Sequence, residues 1–252
     1  MSFLRGIPAN YMLLSLQELN KQEEIMVDIM AFGAHPDDIE FGCGGLLCRQ
    51  SVLGQSIVMV DLTLGQKGTN GTPEQRRDEG LAAAERIGAT REVLNFQDCE
   101  VQDTPDARLD VVRAIRTHQP KLLLAQNWKS PIQHPDHVAA GRIVQAAARL
   151  ARFKNILPNL PIHHVEGILY YPGPMCEQTG FLIDISDYVE QWKELILAHK
   201  SQHLTYNYLN RCLAGAARWG AMMGTEYAQN LIAHNPVVVN NVMQVAKGTI
   251  EL

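Results

Sequence analysis

Apolar positions along this chain come in short continuous runs, and most runs are followed by a stretch with helical spacing. From Ile25 to Ala34 every residue but Asp28 is apolar or small, which predicts a strand buried on both faces. Asp38 to Gly54 then predicts a helix, Ser56 to Thr63 a second strand, and Pro73 to Arg86 a second helix stopped by Gly88. "REVLNF" at Arg91 to Phe96 predicts a third strand, Leu109 to His118 a third helix, and "PKLLLAQNW" a fourth strand ending near Trp128. The intervening "LGQKGTNGTP" is a loop rich in turn residues.

This alternation predicts an α/β fold of Rossmann-like type, a mostly parallel sheet with helices on both faces. The second half is less regular: a long helix from Asp136 to Arg152, strands in "HHVEGILYY" and "GFLIDIS", then helices from Tyr188 onward. No internal repeat or low-complexity linker breaks the pattern. One domain over residues 26–252 is expected, with residues 1–25 as an N-terminal extension.

At 252 residues the chain suits one large core. Its formal net charge is -5 and no run of Lys or Arg occurs, so nucleic acid and polybasic membrane contacts are not expected. No apolar run approaches the roughly 20 residues that a membrane span needs. The first 25 residues carry Gln, Glu, Asn and Lys where a signal peptide would need its cleavage region. The 5 cysteines are odd in number and include no C-x-x-C pair, which points to a reducing compartment and a cytoplasmic location. Small buried or half-buried thiols are the expectation, with Cys43 of interest for its place near the cluster described next.

Two polar clusters stand directly behind apolar strands. "AHPDD" places His35, Asp37 and Asp38 after the first strand, and "QHPDH" places His134, Asp136 and His137 after the fourth. In an open parallel sheet these are the ends at which ligands bind, and neighbouring strands would bring the clusters together. Two histidines and one aspartate make a three-ligand set for zinc with a position left for water, and one carboxylate and one histidine remain for acid-base work. Either cluster alone reads as a capped helix start; two H-P-D sequences behind two strands make chance a poor account. Gly42, Gly44 and Gly45, followed by Asp61, suggest a dinucleotide-binding unit, but the fingerprint fails because Leu47 stands where its last glycine belongs. The glycines are better explained by close approach of the helix to its surroundings.

With both motifs placed, the chain resembles the LmbE-like, or PIG-L, family of zinc-dependent N-acetylglucosamine (GlcNAc) deacetylases, over nearly its whole length from Met26. "GTNGTPEQRRDEG" is similar to the family's loop and R-x-x-E helix start. "FLIDISDYVEQWKELILAHKSQ" and "WGAMMGTEYAQNL" are similar to the branch that serves bacillithiol biosynthesis. The resemblance implies His35, Asp38 and His137 as zinc ligands, Asp37 as general base, and His134 as the residue that steadies the oxyanion and protonates the amine. It also implies Asp136 as the carboxylate that orients His134, and Arg76 as an active-site arginine that holds a polar or anionic part of the substrate. The plain alternative for Arg76 is a surface ion pair with Asp78 or Glu79.

The same ligand set also suits ferrous iron. An amino-sugar substrate is implied, N-acetylglucosaminyl malate in the branch that fits best, with other GlcNAc conjugates or chito-oligosaccharides as alternatives. A non-catalytic sugar- or nucleotide-binding module is the reading from a different class. A homo-oligomer, trimer or hexamer, is implied too. Three positions depart from the family pattern: Gln133 where a basic residue is expected, "AQNW" at the end of the fourth strand, and Trp219 near the place of a tyrosine that assists the oxyanion in some members.

Overall fold

In the computed structural model the described residues are 26–130, 133–173, 178, 180–241 and 243. The expected N-terminal extension, 1–25, lies outside them, as does Cys176. Five parallel strands form the main sheet: β1 (Ile29–Gly33), β2 (Ile57–Thr63), β3 (Thr90–Phe96), β4 (Leu122–Gln126) and β5 (Gly167–Tyr171). Their spatial order is β3-β2-β1-β4-β5. β1 lies between β2 and β4, with Ile29 opposite both Ile57 and Leu122. The order reverses direction between β1 and β4, and a crevice opens there at the carboxyl edge.

Six helices have the ranges α1 (Asp38–Val52), α2 (Pro73–Glu85), α3 (Pro105–His118), α4 (Pro135–Leu150), α5 (Val189–Ala198) and α6 (Tyr208–Met223). Odd and even strand positions feed different cores, as the pleat requires. Met30, Phe32, Val58 and Val60 face α3 and α4 together with Val111, Ile115, Ile143 and Val144. Ile29, Ala31, Ile57 and Met59 face α1, α2, α5 and α6 with Leu47, Ala84, Trp192 and Ala216. Both sheet faces are covered, which is why the inner strands β1, β2 and β4 read as nearly continuous apolar runs, in contrast to the edge strand β3. Cys43 and Cys48 belong to the second core, so Cys43 is a packing residue and not part of the polar cluster.

A second, antiparallel sheet pairs β6 (Phe181–Asp184) with β7 (Ala228–Leu231). It is tied to β5 by a reciprocal backbone pair, Tyr170 with Ile232, at 2.8 Å in each direction. β7 has no counterpart in the sequence reading: four residues, "AQNL", buried throughout, carry no alternation to detect. α3 begins four residues before the expected Leu109, because Thr104 caps it by accepting from the Ala107 N–H at 3.2 Å and Pro105 fills its first turn. No described helix is long and apolar enough to cross a membrane.

Glycines set two close approaches. A Cβ on Gly42 would lie 2.3 Å from the Tyr171 ring, whose hydroxyl donates to the Phe32 carbonyl at 2.7 Å. A Cβ on Gly141 would lie 2.3 Å from the backbone oxygen of Gln126, so α4 packs directly on the end of β4. Gly141→Ala should therefore destabilise the protein by roughly 1–3 kcal/mol, despite the helix propensity that alanine adds. Equilibrium urea unfolding checks this; an unchanged or higher midpoint would contradict the close packing of α4 on β4.

Candidate functional site

The β1–α1 turn is built by its own polar side chains. The His35 N–H donates to Asp38 Oδ2 at 2.8 Å, and Asp38 opens α1 while Asp37 takes the N-cap position. Asp37 sits at φ 120°, a left-handed region that costs a non-glycine residue about 1–3 kcal/mol and persists only where surroundings enforce it. Arg76 is the enforcing residue: its guanidinium donates to Asp37 Oδ2 at 3.1 Å, to the Pro36 carbonyl at 2.8 Å and to the Gly65 carbonyl at 3.2 Å. The ion pair of Arg76 is thus with Asp37, and neither Asp78 nor Glu79 is its partner. Glu79 turns instead to Ser201, accepting from its N–H at 2.9 Å and its hydroxyl at 2.7 Å.

The β4 end is joined to the β1 end by a side chain. Gln126, from the unusual "AQNW", accepts the Ala34 N–H at 3.1 Å. Gln133, where a basic residue was expected, donates to the carbonyls of Asn127 and Ser130 at 3.0 Å each and so holds the loop before α4. His134 caps α4, its Nδ1 accepting from the Asp136 N–H at 3.2 Å. That bond leaves the proton of the neutral ring on Nε2, away from the helix.

The two clusters meet. His137 Nε2 lies 3.1 Å from Asp38 Oδ1, and His35 Nδ1 lies 3.3 Å from Asp38 Oδ2. The donor atoms of His35, Asp38 and His137 fall within 4.8 Å of one another, as do those of His35, His134 and Asp136. The imidazoles of His35 and His134 meet edge-on at 4.9 Å between centroids. Two imidazoles and a carboxylate at this spacing fit a zinc-type ion. The other nitrogen of His35, Nε2, faces Asp98 at 3.0 Å and Asp136 at 3.3 Å. A carboxylate behind a ligating histidine fixes its tautomer and raises its basicity.

Asp136 departs from its expected place. Its carboxylate goes to His35 and to the Cys99 N–H, at 2.7 Å, while only its backbone N–H reaches His134. Asp98 and Cys99 escaped the sequence reading. Asp98 follows β3 at the same sheet edge as the two motifs, and that position was its signal. Cys99 is exposed, with its Sγ 3.9 Å from His134 Nε2 and its φ at 61°. The expectation of buried or half-buried thiols fails for it.

Charge is distributed unevenly over this cluster. Burial raises Asp37 to a pKa of about 6, against the pull of Arg76. Burial also works against a charge on Asp38, but His137 and His35 outweigh it and hold that carboxyl well below the usual range. For His35, burial opposes the charged form, and the carboxylates of Asp136, Asp38 and Asp98 reverse the effect and raise it to about 12. His134 is lowered by burial and by the charge on His35. Beneath lies a second, fully buried set: Arg91 with Glu40 and, at 2.6 Å, with Asp61, and His199 Nε2 3.0 Å from Glu40.

All seven residues singled out except Asp136 line a cleft of about 950 Å³, along with Asp98, Trp219 and Tyr208. Tyr208 stacks on Phe41 at 4.8 Å. A ligand of disaccharide size fits such a volume.

A family profile described as "PIG-L: GlcNAc-PI de-N-acetylase" matches residues 30–148, a span that contains both H-P-D motifs. The diacetylchitobiose deacetylase of Thermococcus kodakarensis is 26% identical over 234 residues, which is 85% of each chain. An uncharacterized deacetylase of Escherichia coli, YaiS, is 32% identical over 126 residues, 48% of this chain and 68% of that one. Among solved structures, the conserved protein TT1542 of Thermus thermophilus superimposes with a TM-score of 0.80 at 34% identity, covering 85% of this chain and 97% of that one. With identity at that level over almost the full length of a relative, and both motifs inside the matched span, the chain belongs to the PIG-L, or LmbE-like, deacetylase family.

Proposed function

We propose that the protein is a zinc-dependent N-deacetylase that hydrolyses the acetamide of a GlcNAc conjugate, N-acetylglucosaminyl malate, to acetate and the free amino sugar. The observation that carries this reading is the convergence of His35, Asp38 and His137, with Asp37 and His134 beside them, at the head of one cleft. His35, Asp38 and His137 would hold a divalent ion, which would supply Lewis acidity toward the acetyl carbonyl and acidify water. Zinc is preferred to ferrous iron because amide hydrolysis involves no change of oxidation state.

The chain's own groups account for the proton transfers. Asp37, more basic than an ordinary aspartate yet ionised at neutral pH, takes a proton from the attacking water. Arg76 holds that carboxylate in place and keeps its charge. The Nε2–H of His134 faces the cleft and donates to the oxygen that gains negative charge when the carbonyl carbon becomes tetrahedral. When the C–N bond breaks, the sugar nitrogen takes the proton that Asp37 removed from water, which returns Asp37 to its ionised form. Asp136 acts at one remove, steadying His35 with its carboxylate and His134 with its backbone N–H. The likeness of residues 181–202 and 219–231 to the bacillithiol branch supports the malate conjugate.

Zinc-loaded protein should release acetate from N-acetylglucosaminyl malate faster than from GlcNAc-inositol or diacetylchitobiose. No acetate from any of the three would overturn the deacetylase reading, and preference for a neutral conjugate would overturn the malate assignment. Asp37→Asn should retain zinc, measured by elemental analysis, and lose about 100- to 10,000-fold in kcat. Near-normal turnover would remove Asp37 as base.

Arg76→Met tests the charge argument. Without the guanidinium the Asp37 pKa rises, so its ionised form appears only at higher pH, and the acid limb of the kcat/KM profile should move in the alkaline direction. A limb that stays put would mean that some other group titrates there.

A further inference from the structure

Charge along the cleft is polarised. The acidic residues that line it, Asp37, Asp38 and Asp98, all sit at the end where the two H-P-D motifs meet. Four Lys and Arg side chains line it: Lys67, Arg76, Arg211 and Arg218. Lys67 pairs with Glu100 and Arg76 with Asp37. Among the described residues, no carboxylate lies within ion-pair distance of Arg211 or Arg218, and both are exposed. Their contacts are with aromatic rings: Arg211 lies 6.0 Å from the Tyr206 centroid and Arg218 4.9 Å from that of Trp219.

Both arginines belong to α6 and stand seven residues apart, two helical turns or about 10 Å along one face. Ala214 and Gly215 lie between them and also line the cleft. Among the described residues nothing gives Gly215 a packing reason, since a Cβ there would meet nothing within 4 Å. A mid-helix glycine costs roughly 0.5–1 kcal/mol relative to alanine. At this position it leaves a shallow floor flanked by two guanidinium arms.

We propose that Arg211 and Arg218 form the aglycone subsite and select conjugates whose aglycone bears carboxylates. The assignment rests on the deacetylase reading above and gives it a determinant of substrate choice. It also moves to α6 the task, holding an anionic part of the substrate, that the sequence reading gave to Arg76. Arg76 is buried and bonded to Asp37, so recognition of the anion falls to the two arginines that keep their donors free. A guanidinium placed over an aromatic ring is steadied by it, and its planar fork of N–H groups matches a carboxylate with two parallel hydrogen bonds. Lysine at either position would supply charge without that fork.

The test is the double variant Arg211→Gln/Arg218→Gln, in which two exposed positions keep a long polar side chain. With zinc-loaded protein, kcat/KM for N-acetylglucosaminyl malate should fall roughly ten- to hundredfold, mainly through KM. The value for neutral diacetylchitobiose should change less than about threefold, and added salt should weaken the wild-type preference but leave the variant indifferent. Equal losses on both substrates, or none on the malate conjugate, would overturn the subsite.

Titration calorimetry of the malate and chitobiose ligands on Asp37→Asn protein, with and without the arginines, gives a readout that needs no turnover. If wild-type protein releases no acetate, the deacetylase reading falls, while the calorimetric difference still decides the arginine pair. A malate conjugate that binds equally well to both proteins would sink it.

Discussion

Two parallel strands that end side by side, β1 and β4, generate the whole chemical end of the cleft. Each hands a His-Pro-Asp turn to the helix that follows, and the Gln126 side chain fastens one strand end to the other through the Ala34 N–H. The consequence is electrostatic. Three carboxylates, from Asp38, Asp98 and Asp136, converge on the single imidazole of His35 from both of its nitrogens. So much negative charge in a partly dry crevice is stable only with cationic compensation, and the histidine proton is a weak substitute for a divalent ion.

The neighbouring aspartates 37 and 38 illustrate how environment divides labour between like groups. Asp38 touches two histidines and is held ionised, whereas Asp37 touches one arginine, is buried, and becomes the more basic of the two. The strained backbone at Asp37 is maintained from behind. Arg76 reaches it from α2, and α2 is in turn fixed by Glu79 on Ser201, just past α5. Below α1, Glu40 shares its carboxylate between Arg91 of β3 and His199 at the end of α5, and its carbonyl accepts from the Trp192 indole at 2.7 Å. A buried ionic set of this kind contributes little net stability but strongly penalises any arrangement that separates its members. It ties the turn bearing Asp37 and Asp38 to three other elements.

Residues 26–150 were legible in the sequence because β1, β2 and β4 are buried and read as nearly unbroken apolar runs, while the edge strand β3 is set off by the helices on either side of it. The ends of those strands located His35, Asp37, Asp38, His134, Asp136 and His137 before any coordinates, and β1–β4 adjacency joined them. What escaped notice has physical reasons. Asp98 obeys the same strand-end rule but lacks a histidine beside it, so it did not stand out. The partner of Arg76 was hidden because its helix carries nearer carboxylates at 78 and 79, and only the path of the loop over Pro36 and Gly65 shows that the side chain turns inward. The family resemblance implied that the Asp136 carboxylate orients His134, but that short link is made by backbone, which frees the side chain for His35.

The second half was harder to read for a reason that bears on function. β6 and β7 are four residues each, and α6 presents Ala214, Gly215 and two arginines without an ion-pair partner among the described residues to the cleft in place of a sealed apolar face. Segments that line a ligand cavity keep polar and small residues where packing alone would select larger apolar ones, so their periodicity is degraded by the same choices that shape the cavity. The family profile stops at residue 148, just before this region, and encloses all of the groups that meet between β1 and β4. On the proposed assignment the chemistry would be fixed by sheet topology at the ends of β1 and β4, and selectivity would be set by α6, a helix outside the matched span.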